Sequence, residues 1–194
     1  MIYINDDIGS LQLEAALAEI SGQRREQALK FRHEQGRRLC VAAYLLLKEG
    51  LRQEYGIDEN PLLDYDPQGK PFLADHRDVF FNLSHCRKAA VCAIGCKPVG
   101  IDIEYVREYR PSLAQYTMNA QEMERISRSR RPDVEFIRLW TMKESLLKLS
   151  GEGIRHSMKD VLDKAAESVA FNTVVNLQRQ YVYTFVSELP NRTH

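Results

Sequence analysis

Two short stretches carry residue types whose spacing could do chemistry. Val99-Gly100-Ile101-Asp102-Ile103-Glu104 alternates between apolar and acidic. Successive side chains of a strand point to opposite faces. Asp102 and Glu104 therefore share one face, and Ile101 and Ile103 the other. Adjacent carboxylates repel unless open water or a cation lies between them. An oxygen-only pair of this kind suits Mg²⁺, and Gly100 beside it lets another group come close to the backbone. The second stretch is Phe136-Ile-Arg-Leu-Trp140-Thr-Met-Lys143-Glu144-Ser-Leu-Leu-Lys148. Glu144 and Lys148 lie four apart and share a helix face, in line with the chain's one tryptophan. An acid and a cation in line with an aromatic fit a cleft wall better than open solvent. Each stretch alone has a plainer reading. A half-exposed sheet carries polar residues on its wet face, and a Glu-to-Lys pair on a surface helix is worth only about 0.2–0.5 kcal/mol.

Further candidates are weaker singly. Phe81-Asn82-Leu83-Ser84-His85 ends a strand on a polar Ser-His tip, and a lone histidine there is ordinarily satisfied or in solvent. Gly69-Lys70-Pro71 is a turn presenting one lysine. Arg24, Arg25 and Lys30 gather on one short helix. Arg37 and Arg38 sit in a first helical turn, where cations oppose the helix dipole; a nearby anion or plain solvation would account for them.

The elements that must position these residues follow from periodicity and punctuation. The pattern predicts a strand over 1–5, a helix over 11–20 capped by Ser10, a helix over 22–31 and a long helix over 35–55 closed by Gly56. Residues 60–71 read as loop. Strands over 79–84, 89–95 and 99–106, joined by short turns, read as an antiparallel meander. Asn119 and Glu122 form a capping box. Pro132 suits the first turn of a helix over 132–150 closed by Gly151, and Ser157 heads a further cap. Strands over 168–177 and 180–188 form a last hairpin. Phe81-Asn82 and Phe171-Asn172, about half a chain apart, hint at two related halves.

Composition sets the outer bounds. The 194 residues carry 27 basic and 27 acidic side chains, a formal net charge of zero. No global field draws the chain to nucleic acid or to an anionic membrane. No apolar run approaches membrane-spanning length, and the first residues lack the basic start and apolar core of a signal peptide. A cytoplasmic protein is expected, with no nucleic-acid or membrane partner. The four cysteines, Cys40, Cys86, Cys92 and Cys96, make no CxxC pair. A Cys92–Cys96 disulfide is conceivable, but buried reduced thiols are the favoured reading, and zinc spacing is lacking.

Together the clusters resemble one family, the phosphopantetheinyl transferases, in particular the larger surfactin-type class. Gly69-Lys70-Pro71, Phe81 to His85, Val99 to Glu104, and Phe136-x-x-x-Trp140-Thr-x-Lys143-Glu144-Ser-x-x-Lys148 are similar to the family's motifs, in the family's order. Met118 to Glu122 resembles its connecting segment, and the likeness runs from about residue 21 to Ile154. Cys86 departs from the Ser or Thr common after the family's histidine.

The resemblance implies an α+β fold of two similar halves in a pseudo-twofold arrangement. Each half has a small antiparallel sheet packed on a long helix. The halves would be residues 1–97 and 98–194, with the active site in the seam. It implies transfer of the 4'-phosphopantetheine arm of coenzyme A to a serine of an apo acyl, polyketide or peptidyl carrier protein, leaving adenosine 3',5'-bisphosphate. Asp102, Glu104 and Glu144 would bind Mg²⁺. Glu144 would also serve as general base, two roles that compete. Lys148 would stabilise or protonate the leaving phosphate. His85 would donate to a phosphate of coenzyme A, Ser84 would contact the nucleotide, and Lys70, Arg38 (or Arg37) and Arg24 would hold the remaining phosphates. Lys143 would pair with an acid or bind phosphate. A monomer is expected, since one chain holds both halves. Arg125, Arg128, Arg130 and Arg131 could face an acidic carrier, or be a solvated charge run. Two other readings remain: a Mg²⁺-dependent hydrolase of the coenzyme A pyrophosphate, and an inactive module binding coenzyme A or a carrier.

Overall fold

The computed structural model describes residues 1–151, 157–165 and 169–189. The predicted limits at Ile154 and Ser168 lie outside the described residues. Strand β1 (Ile2–Asn5) leads into helices α1 (Leu13–Glu19), α2 (Gly22–Leu29) and α3 (Glu34–Tyr55). Ser10 caps none of these; its hydroxyl donates to the Asp7 carbonyl in a 3₁₀ turn, and α1 begins later, after Gln12. Helix α3 is long because its apolar positions keep the helical period. Leu39, Ala43, Leu47 and Leu51 are buried along one side. Gly56 ends it in the left-handed region at φ 67°.

The segment read as loop contains a small hairpin, β2 (Leu63–Tyr65) and β3 (Pro71–Leu73). Its three-residue strands are too short to show a period of two. Then come β4 (Phe80–His85), β5 (Ala90–Gly95) and β6 (Val99–Tyr105). The meander does not form. β5 already has β1 on one side and β4 on the other, so neither edge is free for β6. The turn at Cys96-Lys97-Pro98 carries β6 into a second sheet. There it pairs with β8 (Tyr181–Glu188), which also pairs with β7 (Val169–Asn176). Before that hairpin come α4 (Pro111–Thr117), which the sequence reading missed, α5 (Ala120–Arg128) and α6 (Pro132–Ser150). The Asn119–Glu122 capping box is present in full.

The two sheets share one connectivity. The orders β1-β5-β4 and β6-β8-β7 both place a first strand beside the last of the following hairpin. A long helix, α3 or α6, precedes each hairpin. Phe81-Asn82 and Phe171-Asn172 fall on β4 and β7, the equivalent strands. The halves are packed together rather than tethered. Val91 and Ala93 of β5 share a core cluster with Ile101 and Ile103 of β6 and Tyr181 of β8. The edge of β6 is closed by side chains of β4: the Ile101 N–H donates to Asn82 Oδ1 at 2.9 Å and the Ile103 N–H to Ser84 Oγ at 3.3 Å.

Helix α6 lies directly on the backbone of β6. A Cβ on Gly100 would stand 2.0 Å from the Ser145 carbonyl oxygen and 2.8 Å from the Leu149 nitrogen. The group that comes close to this glycine is the backbone of α6.

Candidate active site

The alternating strand does not present a wet acidic face. Asp102 is only 5% exposed, because α6 covers that side of β6. Its carboxylate has two partners, both on Oδ1: the Lys148 ammonium at 2.6 Å and the Ser84 hydroxyl at 2.9 Å. Lys148 Nζ also donates to Ser84 Oγ at 3.0 Å and to the Ile101 carbonyl at 3.2 Å. Strand β4, strand β6 and helix α6 thus meet at one ammonium group. Asp102 Oδ2 is buried without a partner, and such an atom ordinarily costs about 1–3 kcal/mol.

Glu104 and Glu144 stand around the same point. Burial, then the Asp102 charge, with a smaller push from Glu144, raises the Glu104 pKa to about 7. Burial and Asp102 also push Glu144 up, and Lys148 opposes that. Two carboxylates pushed up by burial and by the Asp102 charge, beside an Asp102 oxygen left without a partner, are a donor set suited to a hard cation. Among the described residues, no group of three or more His, Cys, Asp or Glu side chains is yet drawn close enough to hold an ion.

A cavity of about 260 Å³ opens beside this cluster, walled by Lys70, Asn82, Glu144 and Lys148 among others. Glu144 and Lys148 do line a cleft, as their place in the Trp140 row suggested. Trp140 itself is half-buried, with its ring 6.1 Å from that of Phe136. Lys70 donates to the Leu149 carbonyl at 3.0 Å, and burial holds its pKa below the ordinary lysine value. His85 closes β4 at an exposed position. Desolvation, then the Lys148 and Arg24 charges, depresses its pKa.

The other predicted residues sit apart from the cluster. Arg24 is buried, donating to the Cys40 carbonyl and to Gln27 Oε1, both at 3.0 Å, with its Nε left unpartnered. Arg38 is engaged elsewhere, with Glu34 at 2.7 Å and with the Leu11 carbonyl. Arg37 donates to the Phe31 carbonyl at 2.9 Å. Those acceptors account for two cations in a first helical turn. Lys143 is fully buried on the opposite side of α6, bonded to Glu122 Oε2 at 2.7 Å, the Met158 carbonyl at 2.6 Å and the Thr117 carbonyl at 3.0 Å. Of its two anticipated roles, pairing with an acid is the one realised. Arg125, Arg128 and Arg131 each carry an ion pair, with Glu135, Glu124 and Asp133. Cys40, Cys86 and Cys92 are buried free thiols; Cys96 is free but exposed.

The model of the 4'-phosphopantetheinyl transferase superfamily matches residues 98–189, the span holding Asp102, Glu104, Glu144 and Lys148. The chain is 27% identical over 157 residues to a 4'-phosphopantetheinyl transferase of Bacillus subtilis, covering 79% of this chain and 70% of that protein. It is 34% identical over 154 residues to 4'-phosphopantetheinyl transferase HetI of a Nostoc species, covering 74% and 64%. A third relative, 4'-phosphopantetheinyl transferase gsp of Aneurinibacillus migulanus, is 38% identical over 113 residues, covering 57% and 47%. Over residues 98–189 the chain is similar to the 4'-phosphopantetheinyl transferase superfamily. Around the cleft, Asn82 is the residue whose task sequence reasoning left unassigned. It closes the edge of β6 and lines the cleft at once. A polar residue two before Ser84 on a buried strand was the available signal, since buried amides need partners.

Proposed function

We propose that the protein transfers the 4'-phosphopantetheine arm of coenzyme A to a serine hydroxyl of an apo carrier protein. The bond from the serine oxygen to phosphorus forms as the bond from phosphorus to the bridging oxygen breaks, and adenosine 3',5'-bisphosphate leaves. The carrying observation is the Lys148 ammonium, held by Asp102, Ser84 and the Ile101 carbonyl at the wall of the cleft. A fixed cation there meets charge that develops on the leaving phosphate.

Asp102, Glu104 and Glu144 are the side chains that would hold Mg²⁺. The orphaned Asp102 Oδ2 and the raised pKa values of Glu104 and Glu144 support that reading. When bound, Mg²⁺ would supply neutralising charge to the pyrophosphate oxygens. Glu144 takes the serine proton, and its raised pKa suits a base working near neutrality. Lys70, Ser84 and His85 hold coenzyme A from the β4 side of the seam. Arg24, through its spare Nε–H, and Arg38 serve the outer phosphate, Arg38 only after leaving Glu34. The carrier is an acyl, polyketide or peptidyl carrier protein. We read the chain as a cytoplasmic monomer of two halves, 1–97 and 98–194, since residues from both line one cleft. No helix among the described residues is long and apolar enough to cross a membrane.

The test is mass spectrometry of apo carriers incubated with the protein, coenzyme A and Mg²⁺. The expected result is a gain of one phosphopantetheine on the carrier, lost in Asp102→Asn while circular dichroism shows the fold retained. Coenzyme A cleavage without a carrier would replace this reading with a hydrolase, and binding without turnover across many carriers would replace it with an inactive module.

A further inference from the structure

A second cavity, larger than the one at Lys148, lies among the described residues. It has a volume of about 510 Å³ and lies on the other side of the Lys70 side chain, within the roughly 300–1,000 Å³ range of small-molecule sites. Its walls come from β3, the segment leading into β4, the start of β6 and the C-terminal end of α6. Phe72, Val79, Phe80, Pro98, Val99 and Leu149 make it apolar. Two cations stand at its rim. The Arg77 guanidinium lies 4.0 Å from the Phe72 ring centroid and makes no ion pair among the described residues. Lys70 Nζ has the Leu149 carbonyl as its acceptor. Among the described residues Asp66 is the one acid in the lining, and its Oδ1 already accepts from the backbone of Gln68 and Lys70. Two cations against one acid leave an excess positive charge over an apolar floor.

The partition between the two cavities is thin. Gln68, Lys70, Pro71 and Gly151 line both. The Lys70 stem lies against Gly151, where an added Cβ would stand 3.4 Å from Lys70 Cδ. Lys70 can therefore serve one cavity or the other. Its acceptor, a single carbonyl at the end of α6, leaves an ammonium that burial has already made costly to keep charged.

We propose that this cavity binds an amphipathic anion of the medium-chain fatty acid class, its chain among Phe72, Val79, Phe80 and Val99 and its carboxylate between Lys70 and Arg77. Bound there, the carboxylate draws Lys70 away from the neighbouring cleft and weakens coenzyme A. By linkage, coenzyme A weakens the fatty acid by the same factor. The coupling, but not the site itself, rests on Lys70 serving coenzyme A.

The test uses the full chain and a dansylated medium-chain fatty acid, with dodecanoate as competitor and calorimetry for coenzyme A. Expected is saturable binding of one fatty acid per chain. Binding should be lost in Val79→Trp, which fills the cavity, and fall about tenfold in Arg77→Gln, which removes a charged partner. Both variants should keep the wild-type Kd for coenzyme A. Saturating dodecanoate should raise that Kd severalfold in the wild type and leave it unchanged in the variants. Arg77→Gln sits on the surface and keeps the test open if Val79→Trp fails to fold. Absence of saturable binding, or wild-type binding in both variants, overturns the site. A Val79→Trp loss of coenzyme A affinity matching the loss of fatty acid would make the cavity part of the coenzyme A site and also overturn the proposal. Fatty acid binding with no shift in coenzyme A affinity overturns the coupling. None of these readings needs turnover, so they stand apart from failure of the transferase assignment.

Discussion

Lys143 and Lys148 are five residues apart on one helix and do opposite work. Lys143 is sealed among Glu122 and two carbonyls, while Lys148 meets Asp102 at the edge of a cleft. Replacing Lys143 with Met leaves Glu122 buried without its cation, and breaking such a pair costs on the order of 3–5 kcal/mol. A large drop in melting temperature is expected, partly recovered when Glu122→Gln is added. Lys148→Met also strips a buried acid, Asp102, of its cation, so a drop in melting temperature is expected there too. It should be smaller, because Lys148 stands at an open cleft and Ser84 still donates to Asp102. Transfer activity should be lost, read by single-turnover mass assay. Glu104 gives a pH signature. Its pKa rises from an ordinary 4.5 to about 7 in the folded protein, so the fold favours its neutral form. The resulting stability is complete below the ordinary value and is lost as pH rises through about 7. Without divalent ions, the melting temperature should fall with pH across that window more steeply in the wild type than in Glu104→Gln. That Asp102 and Glu104 share a strand face and Glu144 and Lys148 a helix face was legible from residue type and spacing; the roles proposed for them rest on the family resemblance. What Lys143 and Arg38 touch was not legible, because their partners, Glu122, Met158 and Leu11, lie in other elements.

At the scale of elements, the contact between α6 and β6 sets the site. Gly100 permits it, and a methyl group there would strike the backbone of Ser145 and Leu149. The obstacle is helix backbone rather than a flexible side chain, so relief requires moving the helix that carries Glu144 and Lys148. Gly100→Ala should therefore lose transfer activity by orders of magnitude while keeping the helix and strand content seen by circular dichroism. The long helices α3 and α6 were readable within a residue or two, because Gly56, Pro132 and Gly151 punctuate them, whereas the short α4 was missed. The pairing of β6 was not readable either. Strand order depends on which edges are free, and β1, nearly the whole first half earlier in sequence, had already taken the edge of β5.

The whole molecule repeats one connectivity twice and joins the copies through a shared core. Val91, Ala93, Ile101, Ile103 and Tyr181 pack in a single cluster, so each half buries part of its apolar surface only against the other. Urea unfolding followed by far-ultraviolet circular dichroism and by tryptophan emission should give one coincident transition. Two separated transitions would show that the halves are independent. Twofold repetition was only faintly legible, in Phe81-Asn82 and Phe171-Asn172, since packing constrains strand order more tightly than it constrains residue identity. Trp140 adds something practical. It is the chain's one tryptophan and sits on α6 one turn before Glu144. Indole emission from this protein thus comes from a single lamp beside the proposed reaction centre. A nucleotide titration can be followed by its colour and brightness alone, with no label attached.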